Sequence, residues 1–161
     1  MTNRYLTIFL LFVFITQPMY SQEKTDKLYN TNKENVAVSG YDVVAYFIEE
    51  EPIEGDHSIS SEYQGVIYWF ANEENKAKFN QSPDQYKPQY GGWCAYAMGK
   101  KGDKVTINPK AYSIEDGKLY LFYKKGVTDT LKRWQKNTAE LKSQANSEWS
   151  QLVGSSSNLE H

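Results

Sequence analysis

Tyr112-Ser113-Ile114-Glu115-Asp116-Gly117-Lys118-Leu119-Tyr120-Leu121-Phe122-Tyr123 reads as a β-hairpin. Asp116-Gly117 is a strong two-residue turn signal, because a tight hairpin needs residues that tolerate positive φ. Tyr112 and Ile114 alternate on one strand, and Leu119, Leu121 and Tyr123 alternate on its partner, so each strand has an apolar face. Downstream, Val127, Leu131, Trp134, Leu141, Ala145, Trp149 and Leu152 recur at three- and four-residue steps, with Thr138 filling the gap in the stripe. This spacing predicts a helix from Thr128 to Leu152 with one face on the sheet, capped by Thr128 or Asp129. Its other face, with Lys132, Lys136, Glu140, Ser143 and Ser147, reads as solvated. The expected fold class is α+β: a single compact domain with an antiparallel sheet packed against a long C-terminal helix and short helices.

Working upstream, Ser61–Tyr63 and Val66–Phe70 flank Gln64-Gly65 and form a second expected hairpin. Both faces of Val66–Phe70 are apolar, which predicts a central or covered strand. Asn72 is placed to cap a helix over residues 73–81 with Phe79 as its inward anchor, and Ser82-Pro83-Asp84-Gln85 reads as a second helix start. Val36–Val38 and Val43–Phe47 are short apolar runs about the turn Ser39-Gly40-Tyr41-Asp42.

The ends read differently from this body. Residues 1–21 combine Arg4, an apolar run from Leu6 to Ile15 and the small residue Ser21, the pattern of a cleaved signal peptide. The run is too short to cross about 30 Å of hydrocarbon, so no stable membrane insertion is expected after cleavage. The protein is therefore expected in the periplasm or secreted. Residues 22–35 have little to bury and read as a flexible lead-in, residues 36–153 as the domain, and residues 154–161 as a flexible tail with a tag remnant. The whole chain of 161 residues has 18 Lys and Arg against 20 Asp and Glu, a formal net charge of −2. That balance gives no support to nucleic-acid binding, which calls for clustered cations. A lone Cys94 excludes an intrachain disulfide and any site built from several thiolates of one chain.

Candidate chemistry gathers around Gly91-Gly92-Trp93-Cys94-Ala95-Tyr96-Ala97-Met98. A helix beginning here would put Cys94 in its first turn and Met98 on the same face, offering two soft sulfurs suited to Cu(I), with His57 as a possible nitrogen ligand if the fold brings it close. The same pair is also ordinary core packing, and a thiol nucleophile with His57 as base is a third reading. Tyr41, Tyr46, Tyr90, Trp93 and Tyr96 form a candidate ligand-binding set whose hydroxyls and indole nitrogen could orient a small polar ligand. Rings that fill a core carry the same signature. Gly91 and Gly92 lack the spacing and the following Lys of a phosphate-cradling loop.

Several separated motifs occur together: Val38-Ser39-Gly40-Tyr41-Asp42-Val43-Val44-Ala45-Tyr46-Phe47, Tyr63-Gln64-Gly65 through Tyr68 and Phe70, Phe79 with Pro83 and Tyr86, Pro88–Ala95, and Asp116–Leu121. In this order, over about Ala37 to Trp149, they resemble the secreted YHS-domain family. The resemblance implies a compact α+β domain and a loose link to heavy-metal-associated YHS domains, with Cys94 at the position that matches. The expected function is a non-enzymatic extracytoplasmic binding domain for a soft metal such as copper or for a small ligand. A structural or protein-interaction domain with Cys94 in the core is the alternative.

Overall fold

The computed structural model describes residues 27–157. The expected signal peptide and His161 lie outside the described residues. The fold is α+β. The first hairpin pairs β1 (Asp56–Tyr63) with β2 (Val66–Phe70), and the second pairs β3 (Asn108–Glu115) with β4 (Lys118–Phe122), both antiparallel. They turn at Gln64-Gly65 and Asp116-Gly117, where all four residues have positive φ, as a two-residue hairpin demands. Short helices fill the connections: α1 (Ala45–Ile48), α2 (Glu73–Gln81), α3 (Pro83–Tyr86) and α4 (Ala95–Lys101). Instead of one continuous sheet, the described strands form separate two-stranded pieces. Parallel bridges Val36↔Ile67 and Pro88↔Leu119 add an extended neighbour to β2 and β4.

The two hairpins belong to a larger repetition at an offset of 52 residues, which carries Asp56 to Asn108, Tyr63 to Glu115, Val66 to Lys118 and Phe70 to Phe122. The register irregularity of β1 between Asp56 and Ser60 recurs in β3 between Asn108 and Tyr112. The left-handed run Val38 (+49°), Ser39 (+55°), Gly40 (+84°) recurs as Tyr90 (+54°), Gly91 (+59°), Gly92 (+80°). Asp42 N–H donates to the Ile53 carbonyl at 2.9 Å, and Cys94 N–H donates to that of Val105 at 2.9 Å. Only six aligned pairs are identical between residues 36–72 and 88–124: Gly40/Gly92, Ala45/Ala97, Ser61/Ser113, Gly65/Gly117, Tyr68/Tyr120 and Phe70/Phe122.

The halves diverge after their second strands. In the first, Asn72 at once caps α2, its Oδ1 accepting the Asn75 N–H at 2.8 Å. In the second, a small hairpin intervenes, β5 (Lys124–Lys125) with β6 (Thr128–Asp129), before Asp129 caps α5 (Thr130–Trp134). The single helix expected from Thr128 is therefore two. Thr128 lies in a strand, Val127 is fully exposed at the hairpin tip instead of lying on the stripe, and α6 starts at Thr138 and runs to Ser157. The break has a local cause. The Thr138 hydroxyl donates to the Trp134 carbonyl at 3.1 Å, closing α5, while the Asn137 carbonyl accepts the Leu141 N–H at 3.1 Å, opening α6. Residues 154–157, expected as tail, continue this helix. No described helix is long and apolar enough to cross a membrane.

Two cores result. The first gathers Val38, Val43, Tyr46, Tyr68, Phe70 and Phe79 with Leu119 and Leu121; the second gathers Tyr90, Met98, Tyr120, Phe122, Trp134, Leu141 and Ala145. Alternate β4 residues thus serve different cores, and β4 is the strand covered on both faces. In β2, Val66, Tyr68 and Phe70 are buried while Ile67 and Trp69 are only half-buried. From Leu131 onward the stripe packs inward, with Trp134, Leu141 and Ala145 buried and Trp149 and Leu152 flanking them, but the main neighbour of α6 is α4 and not the sheet. Helices α4 and α6 touch at Gly99, where a Cβ would lie 2.3 Å from the Leu141 carbonyl oxygen.

Trp134 is fully buried, its ring tilted against those of Tyr120 and Phe122 at 5.6 Å between centroids, with its indole N–H donating to Glu115 Oε1 at 2.9 Å. Trp134→Ala is expected to cost about 3–5 kcal/mol in chemical denaturation. A loss below about 0.5 kcal/mol, the scale of a surface substitution, would remove it from the core.

Candidate functional site

Cys94 occupies the cap position of α4 and is completely buried. Its Sγ accepts the Tyr123 N–H at 3.3 Å and lies 3.4 Å from Thr130 Oγ1. Thr130 Oγ1 donates its only hydrogen to the Tyr123 carbonyl at 2.8 Å, so the thiol hydrogen is the one available for the Cys94–Thr130 contact. This closed ring ties the start of α4 to the start of α5 and to the chain leaving β4. Met98, one turn on, is buried in the second core. His57 stands on β1 with its side chain 78% exposed, Nδ1 3.7 Å from Asp56 Oδ1 and its ring 6.2 Å from Trp69. The Cys94 hydrogen-bond partners do not include His57. Among the described residues no group of three or more His, Cys, Asp or Glu is placed to hold a metal ion.

The repetition explains the position of Cys94. Its equivalent is Asp42, also fully buried, whose Oδ2 accepts the Ala71 N–H at 2.9 Å just as Cys94 Sγ accepts from Tyr123. Asp42 Oδ2 also accepts from Asn75 Nδ2 at 2.8 Å, while Oδ1 accepts the N–H groups of Val44 and Ala45. Both residues therefore fasten the start of a helix to the chain leaving the hairpin, one as a fully hydrogen-bonded carboxylate and the other as a thiol.

The five candidate rings do not converge on one pocket. Tyr41 donates to Glu54 Oε1 at 3.0 Å beside the first core, and Tyr46, within that core, donates to the Pro109 carbonyl at 2.9 Å. Trp93 Nε1 donates to the Leu28 carbonyl at 2.8 Å, and Tyr90 donates to Asn146 Oδ1 at 3.0 Å. Tyr96 lies on the wall of a separate depression beside Cys94. Tyr41 and Trp93 are repeat equivalents, so their similar sequence settings belong to different halves.

Tyr90 does line a cleft of about 290 Å³, together with Tyr29, Tyr68 and Trp149. Asn30, Thr31, Gln64, Gln89 and Lys87 supply its polar side chains, and no carboxylate is among the described lining residues. Lys87 Nζ is 2.5 Å from Asp84 Oδ1 and 5.8 Å from the centre of the Tyr63 ring, and this lysine holds the Asp84 carboxyl below the usual range. One cleft wall is chain that the sequence reads as lead-in. From Leu28 onward it is fastened down: Asn30 N–H donates to the Gly91 carbonyl at 2.8 Å, and Asn30 Nδ2 to that of Gly92 at 2.9 Å. Gly91 is required here, since a Cβ would lie 2.6 Å from Trp149 Cη2 and its φ is +59°. Tyr29 and the cleft role of Trp149 escape sequence reasoning because one sits in polar chain and the other on a core-like stripe.

Burial pushes the hydroxyls of Tyr46, Tyr68 and Tyr90 well above the ordinary phenol range. In the unfolded chain they titrate near 10, so above that pH the folded state holds protons that the unfolded state releases, and stability falls as pH rises. Absorbance titration should show these three tyrosines ionising only as the protein unfolds; their ionisation with the fold intact would contradict the burial. Cys94 should react with a thiol reagent at least a hundredfold more slowly in folded than in denatured protein, and equal rates would contradict the sealed ring.

Comparison with protein-family models, curated proteins and solved structures finds no match for this chain.

Proposed function

We propose that this protein is a non-enzymatic, extracytoplasmic binding domain that takes a small, flat, polar ligand in the Tyr29–Tyr68–Tyr90–Trp149 cleft. The observation that carries the proposal is that four aromatic residues and the amide-bearing Asn30, Gln64 and Gln89 line one space of about 290 Å³. Apolar walls with a few fixed polar groups are the usual make-up of a small-molecule site. The rings suit an aromatic or planar face, and the Gln89 amide can both donate to and accept from a polar ligand. Assignment outside the cytoplasm rests on the character of residues 1–21.

A soft metal such as copper is the weaker form of the same binding reading. It would have to use Cys94 Sγ, which already accepts the Tyr123 amide, together with Met98; His57 makes its contacts with Asp56 and Trp69. In the cleft, Asn30 Nδ2 donates to the Gly92 carbonyl and Gln64 is bonded to Tyr29 and Tyr63, so the Gln89 amide is the group that meets a ligand without exchanging a partner.

Benzamide and nicotinamide serve as planar amide probes. Titration is expected to quench tryptophan fluorescence saturably and to shift the amide resonances of Tyr29, Gln64 and Gln89. Trp149→Leu and Gln89→Ala should each weaken binding at least fivefold while the far-ultraviolet circular dichroism stays unchanged. Failure of both probes to bind, or binding indifferent to both substitutions, would overturn the cleft assignment. Stoichiometric Cu(I) binding abolished by Cys94→Ser would establish the metal reading in its place.

A further inference from the structure

The repetition supplies an internal comparison for a second depression, of about 240 Å³, that shares no lining residue with the cleft lined by Tyr90. It is lined by Cys94, Tyr96, Lys100, Lys101, Asp103, Tyr123 and Thr130 with neighbouring apolar residues. At the 52-residue offset, Cys94 corresponds to Asp42, Lys100 to Ile48, Lys101 to Glu49 and Tyr123 to Ala71. In the first half, the space between the two end positions is filled from α2. Asn75, itself buried, donates from Nδ2 to Asp42 Oδ2 at 2.8 Å and to Glu49 Oε1 at 3.4 Å. There a side-chain amide acts as a donor between two carboxylates.

In the second half the β5–β6 hairpin separates the end of β4 from the capped helix, so α5 begins five residues later relative to its strand than α2 does. Thr130 reaches Cys94, but the hydrogen bonds of the described residues include no counterpart of the Asn75–Glu49 link. The space stands open, and its polarity is reversed. Residues 36–72 contain seven acidic residues and neither Lys nor Arg, whereas residues 88–124 contain six Lys and three acidic residues. Where the first half places Glu49 against a built-in donor, the second places Lys101, with Lys100 beside it, on the wall of an open depression.

We propose that this depression is a second binding site, and that it takes a small anion with a carboxylate or phosphate head held by Lys100 and Lys101. The phenol of Tyr96 and the aromatic wall of Tyr123 shape the site for a compact headgroup. Asp103, also on the lining, offsets one of the two lysine charges and so disfavours a multiply charged ligand. The site is independent of the cleft proposal.

The probes are inorganic phosphate and acetate, titrated into isotopically labelled full-length protein at constant ionic strength, with chloride as the balancing ion. Saturable shifts at the amides of Lys101, Val105 and Tyr123 are expected, and stronger binding of phosphate than acetate, or the reverse, identifies which head the site prefers. The exposed pair Lys100→Gln/Lys101→Gln should weaken binding at least tenfold, while Lys118→Gln/Lys125→Gln, which removes equal charge elsewhere, should change it less than twofold. Linear, unsaturated shifts, shifts spread over lysines throughout the chain, or equal effects of the two double substitutions would overturn the proposal. Circular dichroism and thermal melts of both variants guard against misfolding, since all four lysines are exposed.

Discussion

A strand five residues long that is covered on both faces holds this molecule together. Leu119 and Leu121 of β4 enter one core, and Tyr120 and Phe122 enter the other. Because side chains of a strand alternate strictly, a one-residue slip would exchange these sets and put large rings where leucines fit. The tight Asp116-Gly117 turn fixes that register against β3. The parallel bridge to Pro88 then fixes where the second left-handed run lies, and with it the Gly91 and Gly92 carbonyls that hold Asn30. Placement of the cleft thus descends from the register of one hairpin.

Around this strand, the same backbone solution is used twice with different side-chain chemistry. Asp42 and Cys94 both receive an N–H from the residue that leaves the second strand, and both sit at the start of a helix. The carboxylate must satisfy more hydrogen bonds to be buried, which is why Asn75 and two helical amides crowd around it. A thiol makes smaller demands and needs only Tyr123 and Thr130. Replacing charge by sulfur at this position removes the need for a plug, so the chemical identity of one anchor decides whether the neighbouring volume must be filled.

Local signals were legible wherever one residue type answers one backbone demand. Asp116-Gly117 and Gln64-Gly65 mark their turns, Asn72 and Asp129 cap their helices, and the heavy apolar stripe around Trp134 packs inward. The helix break at Gln135–Asn137 was not legible, because an apolar period continues across a gap that preserves its phase. Repetition was hidden behind six identities, since what repeats is a pattern of φ angles and backbone hydrogen bonds that Val38-Ser39-Gly40 and Tyr90-Gly91-Gly92 satisfy with different residues. The cleft is assembled from four separate stretches of chain, and its aromatic members, Tyr29, Tyr68, Tyr90 and Trp149, have no shared spacing for a periodicity argument to detect.

The double duty of β4 also bears on the order in which this chain can become a protein. Leu119 and Leu121 complete a core otherwise built from residues 37–86, so the leading half has no finished interior until the second hairpin has been made. The trailing half waits longer, for Leu141 and Ala145 on the last helix. The leading half therefore encloses its interior only with side chains lent by the second hairpin, so loss of that hairpin would open both cores at once.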